Sequence, residues 1–341
     1  MQSVGIVSTG IYLPEKRMLS HEIAEQAGIP VEVVEQKMGI KEKRIPTNDD
    51  HTGEMGVRAA RKALEKANID PKAIDLVIYI GEEHKEYPLW TAGIKLQHEV
   101  GAVNAWAFDT ALRCGTTIMA LKIAKDMMTA DEEIKTVLLA GGYRNVDFIN
   151  YQNPRTRFMF NLGAGGGAVI LQKDYKKNAL LGSHLITDGA FSEDVVVTTG
   201  GTKNPITTES LNAGLYQLDV LDPSGMKQRL EQKSMDNFIT CIEKALEKSG
   251  YTKDDIDYVA MLHMKRSAHL YILDELGVDH DKSIYLENYG HIGQIDQLLS
   301  LELAEQQGKL KAGDIIVFVS AGIGYAWGAN VIQWGENREG L

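Results

Sequence analysis

The sequence lacks the features that mark several functional classes. Only two cysteines, Cys114 and Cys241, occur in 341 residues. Two are too few for a disulfide framework, and no CxxC pair suggests a zinc site, so no metal is expected. No lysine- or arginine-rich block occurs, and 36 basic against 47 acidic side chains give a net charge of −11. Nucleic acid and anionic lipid, which need a positive footprint, are disfavoured as partners. The opening MQSVGIVSTGIYLP has neither a basic head nor a long apolar stretch, so no signal peptide is expected there. One charge-free run, residues 315–335 (IIVFVSAGIGYAWGANVIQWG), has the length of a membrane span. Its glycines, Asn330 and Gln333 divide it instead into a strand, a tight turn and a second strand, both buried. The expected location is the cytoplasm. At 44% hydrophobic and 24% charged, the composition is that of an ordinary globular chain long enough for a large core.

What is present is an internal repeat. Residues 59–80 (AARKALEKANIDPKAIDLVIYI) and 241–262 (CIEKALEKSGYTKDDIDYVAML) share KALEK, then Ile-Asp, then a valine, at a constant offset of 182. In each copy an amphipathic helix runs through a polar turn into a β-rich strand. KTVLLAGG (135–142) parallels GDIIVFVSAG (313–322), and GAGGGAVILQ (163–172) parallels GYAWGANVIQW (324–334). The chain therefore reads as two similar α/β halves, 1–172 and 173–341. Uninterrupted apolar strands alternating with helices predict mostly parallel sheets covered on both faces. The irregular stretch 190–235 reads as an insertion forming a lid or wall of the site.

Three residues stand out as carriers of chemistry. Cys114 lies in AWAFDTALRCGTTIMALKIAKDMM, where a strand over 105–108 passes through a small-residue turn into a helix starting near 114. A thiol there faces the positive end of the helix dipole and free backbone N–H groups, which favour a thiolate and any oxyanion beside it. His263 follows the strand IDYVAML, and His291 sits in the glycine-bracketed loop NYGHIGQID before a helix over 296–306. Ligands in open α/β sheets bind at the carboxyl ends of strands, so the three can converge as a cysteine–histidine–histidine set. Cys241, mid-helix in the repeat, reads as core, and His269 as a solvated helix residue. The glycine cluster 163–167 precedes a strand rather than opening a helix, so it reads as close backbone approach and not as a dinucleotide loop.

These segments together resemble the ketoacyl-acyl carrier protein synthase III-like branch of the thiolase superfamily. GIVSTGIYLPEKR, MGIKEKRI, AFDTALRCGTT, FNLGAGGGAVIL, NYGHIG and GIGYAWGANVIQW occur in the family's order over essentially the whole chain. The resemblance implies a thiolase-like α/β fold, a duplicated five-layered αβαβα with two mixed sheets. It implies an acyltransferase of the 2.3.1 class acting in fatty-acid-like or secondary metabolism, in which a thioester acylates Cys114. A malonyl thioester then loses CO₂, and its enolate attacks the acyl group to give a β-ketoacyl thioester. His263 and His291 would donate to the enolate oxygen, and the backbone N–H groups of Cys114 and Ile323 to the acyl carbonyl. Substrates would be acyl-CoA and malonyl-CoA or their acyl carrier protein forms, with no further cofactor. A homodimer is implied, with Tyr87 reaching the partner's acyl pocket.

Departures from the family pattern suggest a specialised paralogue. His291 stands where the branch has asparagine, Ile323 where it usually has glycine, and Arg113 where a small residue precedes the cysteine. VEVVEQK lacks the tryptophan that stacks on the coenzyme A adenine in the housekeeping initiator. Arg113 would meet an acidic acyl group or an acidic neighbour. Glu82 and Glu83 fall near the catalytic glutamate of related hydroxymethylglutaryl-CoA synthases, with an ion pair to Lys85 as the plainer expectation. Arg144, Arg155 and Arg157 are candidates for a carrier-protein patch or coenzyme A phosphates. Decarboxylative condensation leads. Non-decarboxylating transfer, hydrolysis or aldol-type condensation from the same acyl-enzyme stays open, as does a catalytically silent thioester-binding protein.

Overall fold

The computed structural model describes residues 3–336. The first half of the chain runs β1 (Val4–Tyr12), β2 (Arg17–Leu19), α1 (Ser20–Ala27), β3 (Glu42–Arg44), α2 (Thr52–Ala67) and β4 (Leu76–Tyr79). It continues through α3 (Ala92–Val100), β5 (Trp106–Asp109), α4 (Thr116–Ala130), β6 (Thr136–Tyr143) and β7 (Gly165–Lys173). After β8 (Lys177–Thr187) come β9 (Val195–Val197), α5 (Thr208–Asn212), β10 (Leu218–Val220) and the 27-residue α6 (Pro223–Ser249). The chain closes with β11 (Ile256–Met261), α7 (Arg266–Leu276), α8 (Asp296–Gln306), β12 (Ile315–Gly322) and β13 (Ala326–Glu336).

The strand order β11-β12-β13-β8-β1-β7-β6-β4-β5 makes two half-sheets that meet only where Gly5 of β1 opposes Ala179 of β8. Helix α2 covers β1, β7 and β6 on the outside, and α6 covers β8 and β13 on the far side. Helices α4 and α8 pack against strands of both half-sheets, as the middle layer of an αβαβα stack. Side chains from this middle layer, among them Ile118, Leu121, Leu298 and Leu301, are fully or almost fully buried. Burial on both faces is why the strands read as continuous apolar runs rather than alternating ones.

The repeated segments 59–80 and 241–262 fall on α2–β4 and α6–β11. The order β1-β7-β6-β4 in one half-sheet has its counterpart β8-β13-β12-β11 in the other. Strand direction departs from expectation. Among the described residues the parallel ladders are β4/β5, β4/β6 and β11/β12, whereas β1/β7, β6/β7, β8/β13 and β12/β13 are antiparallel. An apolar run records burial, which both pairings share, and carries no sign of direction. The charge-free run 315–335 is the β12–β13 hairpin. No helix among the described residues is long and apolar enough to cross a membrane.

Glycines appear where layers touch. A Cβ on Gly166 would stand 2.2 Å from the Met55 carbonyl of α2, so only glycine lets that helix lie on β7. The stretch 190–235 holds the β9–β10 ribbon, α5 and the start of α6. It does form a wall of the site, through Leu218 and Leu230.

Candidate active site

Strand β5 delivers the chain to a single 3₁₀ turn, Arg113–Gly115, after which α4 begins. The turn is pinned from both sides. The Leu112 N–H donates to Thr116 Oγ1, whose own proton goes to the Arg113 carbonyl, and Ser320 Oγ donates to the Cys114 carbonyl. Arg113 adopts a left-handed φ of 51°, which turns Cys114 inward, where it is buried.

The structure brings Cys114 and His291 into contact: Sγ lies 3.1 Å from Nε2. The His291 loop is fixed by its own backbone, with its N–H donating to the Asn161 carbonyl and its carbonyl accepting from Gly163 N. On its far side His291 Nδ1 donates to Asp296 Oδ2 at 2.6 Å. Asp296 opens α8 and is fully buried. Its carboxylate also accepts the backbone N–H groups of His263 and Ile292, each at 2.7 Å. Burial alone would lower the His291 pKa. The Asp296 carboxylate and Cys114 outweigh it and hold His291 well above its ordinary value.

His263 lines the same cavity but is engaged differently. Its Nε2 donates to the Gly39 carbonyl at 3.0 Å, and its Nδ1 accepts from Asn161 Nδ2 at 2.9 Å. Burial drives its pKa down to about 4, against the pull of the Gly39 carbonyl, so the ring is neutral. The donor role expected for His263 therefore meets a competitor, because its one N–H is already given to Gly39. Tyr143, its ring 5.9 Å from that of His291, is kept a neutral phenol by burial and by the neighbouring Cys114.

Above Cys114 opens a cavity of about 280 Å³, walled mostly by apolar groups including Phe158, Leu230, Phe238 and Ile323. Ile323 follows Gly322, where an added Cβ would stand 3.0 Å from the Cys114 nitrogen, so the two backbones run side by side. A mostly apolar lining with a few convergent polar groups is the usual form of a small-molecule site.

The acidic neighbours rearrange the expectation. Glu83 pairs with Arg113 at 2.6 Å rather than with Lys85, which goes to Asp109. Glu83 stays outside the main cavity, on a separate cleft, while Glu82 is buried, also bound to Arg113, and lines the main cavity. Which of two adjacent glutamates turns inward is set by the backbone, and sequence does not show it. Arg113 is thereby committed to two carboxylates.

Tyr87 is 66% exposed and edge-on to Trp90. Arg155 is paired with Asp219, and Arg157 borders a cleft with Lys37 and Lys265 next to the cavity mouth. Arg144 is held by Asp147 and the carbonyls of Thr47 and Asp50. His269 is buried rather than solvated, packed edge-on against Tyr285 because α7 turns it inward. Cys241 is core, as expected, and burial pushes its thiol up to about 12. Sequence reasoning missed Asp296 and Asn161. For Asp296 the available signal was an acid at the predicted start of the helix, five residues after His291.

Residues 108–189 match 3-oxoacyl-[acyl-carrier-protein (ACP)] synthase III, and residues 246–334 match that family's C-terminal region. The Clostridium acetobutylicum β-ketoacyl-[acyl-carrier-protein] synthase III is 31% identical, over 98% of this chain and 99% of its own. The chain belongs to the 3-oxoacyl-[acyl-carrier-protein] synthase III family. The Caldanaerobacter subterraneus member is 29% identical, over 98% of each chain. The solved Aquifex aeolicus synthase III superposes with a TM-score of 0.82 at 22% identity, over 97% of this chain and 100% of that one. As a synthase III family member this chain is an acyltransferase with the thiolase-like α/β fold.

Proposed function

We propose that this synthase III homologue accepts an acyl group from a coenzyme A or carrier-protein thioester onto Cys114 and condenses it with a malonyl thioester. The observation that carries the reading is the Cys114–His291 contact of 3.1 Å at the foot of an apolar cavity. Cys114 reacts as the thiolate, its proton held on His291, and attacks the thioester carbonyl. The oxyanion is met by the backbone N–H groups of Cys114 and Ile323, each such donor contributing about 3–4 kcal/mol to the barrier reduction. Loss of CO₂ from the malonyl group leaves an enolate whose carbon displaces the Cys114 sulfur. Thioesters are the only reactants in this scheme, and no metal or redox group takes part.

The protein works in the cytoplasm as a homodimer, with the exposed Tyr87 and the adjoining Leu89 meeting the second subunit. The basic cleft of Lys37, Arg155, Arg157 and Lys265 at the cavity mouth suits the phosphates of either carrier.

A second reading has its own support. With the His263 N–H given to Gly39, only one histidine faces the enolate, which favours non-decarboxylating transfer from the same acyl-enzyme. Intact-mass spectrometry of the protein with a panel of acyl-CoA and acyl-carrier-protein donors tests the shared first step. The reading expects an adduct that is absent in Cys114→Ala; no adduct with any donor would refute it.

A further inference from the structure

One buried carboxylate sits on the side of His291 away from the nucleophile. Asp296 receives Nδ1–H at 2.6 Å and is itself clamped by two backbone N–H groups, with no solvent exposure. A carboxylate on Nδ1 forces the neutral ring to present a lone pair at Nε2; only the doubly protonated ring presents an N–H there. Decarboxylation needs a donor at that point, because the malonyl C–C electron pair moves onto the thioester oxygen. His263 has no second N–H to give.

We propose that Asp296 is a positioning residue that keeps His291 doubly protonated through both half-reactions, so that one charged donor performs the enolate stabilisation expected of two histidines. This rests on the condensing function proposed above. The cycle balances. Thiolate attack on the acyl thioester expels a carrier thiolate, which takes a proton from water. The malonyl C–C bond then breaks, CO₂ leaves, and the new C–C bond forms as the Cys114–acyl C–S bond breaks. Cys114 returns as thiolate beside the unchanged imidazolium.

The groups facing His291 support this assignment. They are Asp296 from α8, Cys114 from the turn before α4, Tyr143 at the end of β6 and His263 after β11. Acylation removes any charge on Cys114, and Tyr143 and His263 are neutral. Glu82, which lines the same cavity, is neutralised by its pair with Arg113, so Asp296 is the carboxylate in contact that holds the proton on His291.

The test uses full-length wild type, Asp296→Asn and Asp296→Glu with two readouts. Imidazole ¹⁵N NMR, assigned with His291→Gln, follows the His291 ring from pH 6 to 9 without substrate. Release of labelled CO₂ from malonyl-CoA by the pre-acylated protein follows the second step. The proposal expects His291 to stay doubly protonated to pH 8 in the wild type, with CO₂ release nearly flat from pH 6 to 8. In Asp296→Asn the ring falls to or below the ordinary value of ~6.5, so the pH 8 rate drops about thirtyfold relative to the fully protonated limit. The loss is recovered toward low pH, and Asp296→Glu restores the flat profile. A His291 ring neutral at pH 7.5 in the wild type overturns the proposal whatever the reaction. So does an Asp296→Asn profile that drops equally at every pH, as a merely structural role would give. No CO₂ release by the acylated wild type, with the NMR result intact, overturns the condensing function and the donor role with it, while leaving the ion pair standing.

Discussion

Lys43 is fully buried and has no carboxylate partner among the described residues. Its Nζ donates to the carbonyls of Phe160 and Leu162, each at 2.7 Å, and lies 5.1 Å from the Tyr151 ring centroid. Those carbonyls flank Asn161, which holds His263 through its side chain and His291 through its backbone, so Lys43 braces the site from behind. Burial lowers its pKa from 10.5 to about 7. The unfolded chain therefore keeps the proton up to pH ~10.4, while the folded chain sheds it near 7. Between these values the unfolded state binds more protons, and stability rises with pH by up to ~1.4 kcal/mol per unit. Below the folded pKa the full penalty applies, about 5 kcal/mol for a shift of this size. Lys43→Met removes this dependence, although it leaves two carbonyls unpaired. Urea unfolding of both proteins at pH 7.5 and 9.5 reads the difference. The wild type should gain about 3 kcal/mol relative to Lys43→Met over those two units. Parallel pH profiles would refute the reasoning, since they would mean that Lys43 folds with its charge intact.

Further outcomes follow from other parts of the site. Iodoacetamide at pH 8 should label one cysteine, lost in Cys114→Ala, because burial holds the Cys241 thiol up at about 12; two labels on the folded protein would contradict this. Gly290→Ala sets a Cβ 2.5 Å from the Asn161 carbonyl at a φ of 72°, displacing the His291 loop. Initial-rate measurements should show kcat falling by at least about tenfold with KM little changed. Phe238→Ala should cost about 3–5 kcal/mol in denaturant unfolding and let bulkier acyl thioesters load Cys114. An unchanged donor panel would mean that Phe238 does not bound the acyl group.

Much of this architecture was legible in the sequence because it is written locally. The strand, small-residue turn and helix around Cys114 appear within about two dozen consecutive residues, and the glycines around His291 announce a tight loop. The helix over 296–306 has the expected bounds. What escaped depends on groups far apart in the chain or on which way one residue turns. The partner of the His263 ring is a carbonyl 224 positions away, and no spacing rule connects Gly39 to it. Asp296 looked like any acid opening a helix, since its role depends on the loop folding His291 back onto it. In sequence His269 reads as solvated, because a lone polar residue on a helix gives no sign of the neighbouring layer that buries it. The antiparallel pairing of β6 with β7 escaped for a similar reason: hydrophobic patterning sets the buried faces and leaves direction to the connections.

In the proposed reaction an acyl group on Cys114 is passed to carbon. The direct measurement loads the protein with an acyl thioester, removes excess donor, adds ¹³C-labelled malonyl-CoA or malonyl-carrier protein, and identifies the product by mass. Condensation gives loss of the Cys114 adduct in step with CO₂ and a β-ketoacyl thioester two carbons longer than the acyl donor. An adduct that persists, or that leaves as free acid or acyl ester with the malonyl group intact, would contradict it.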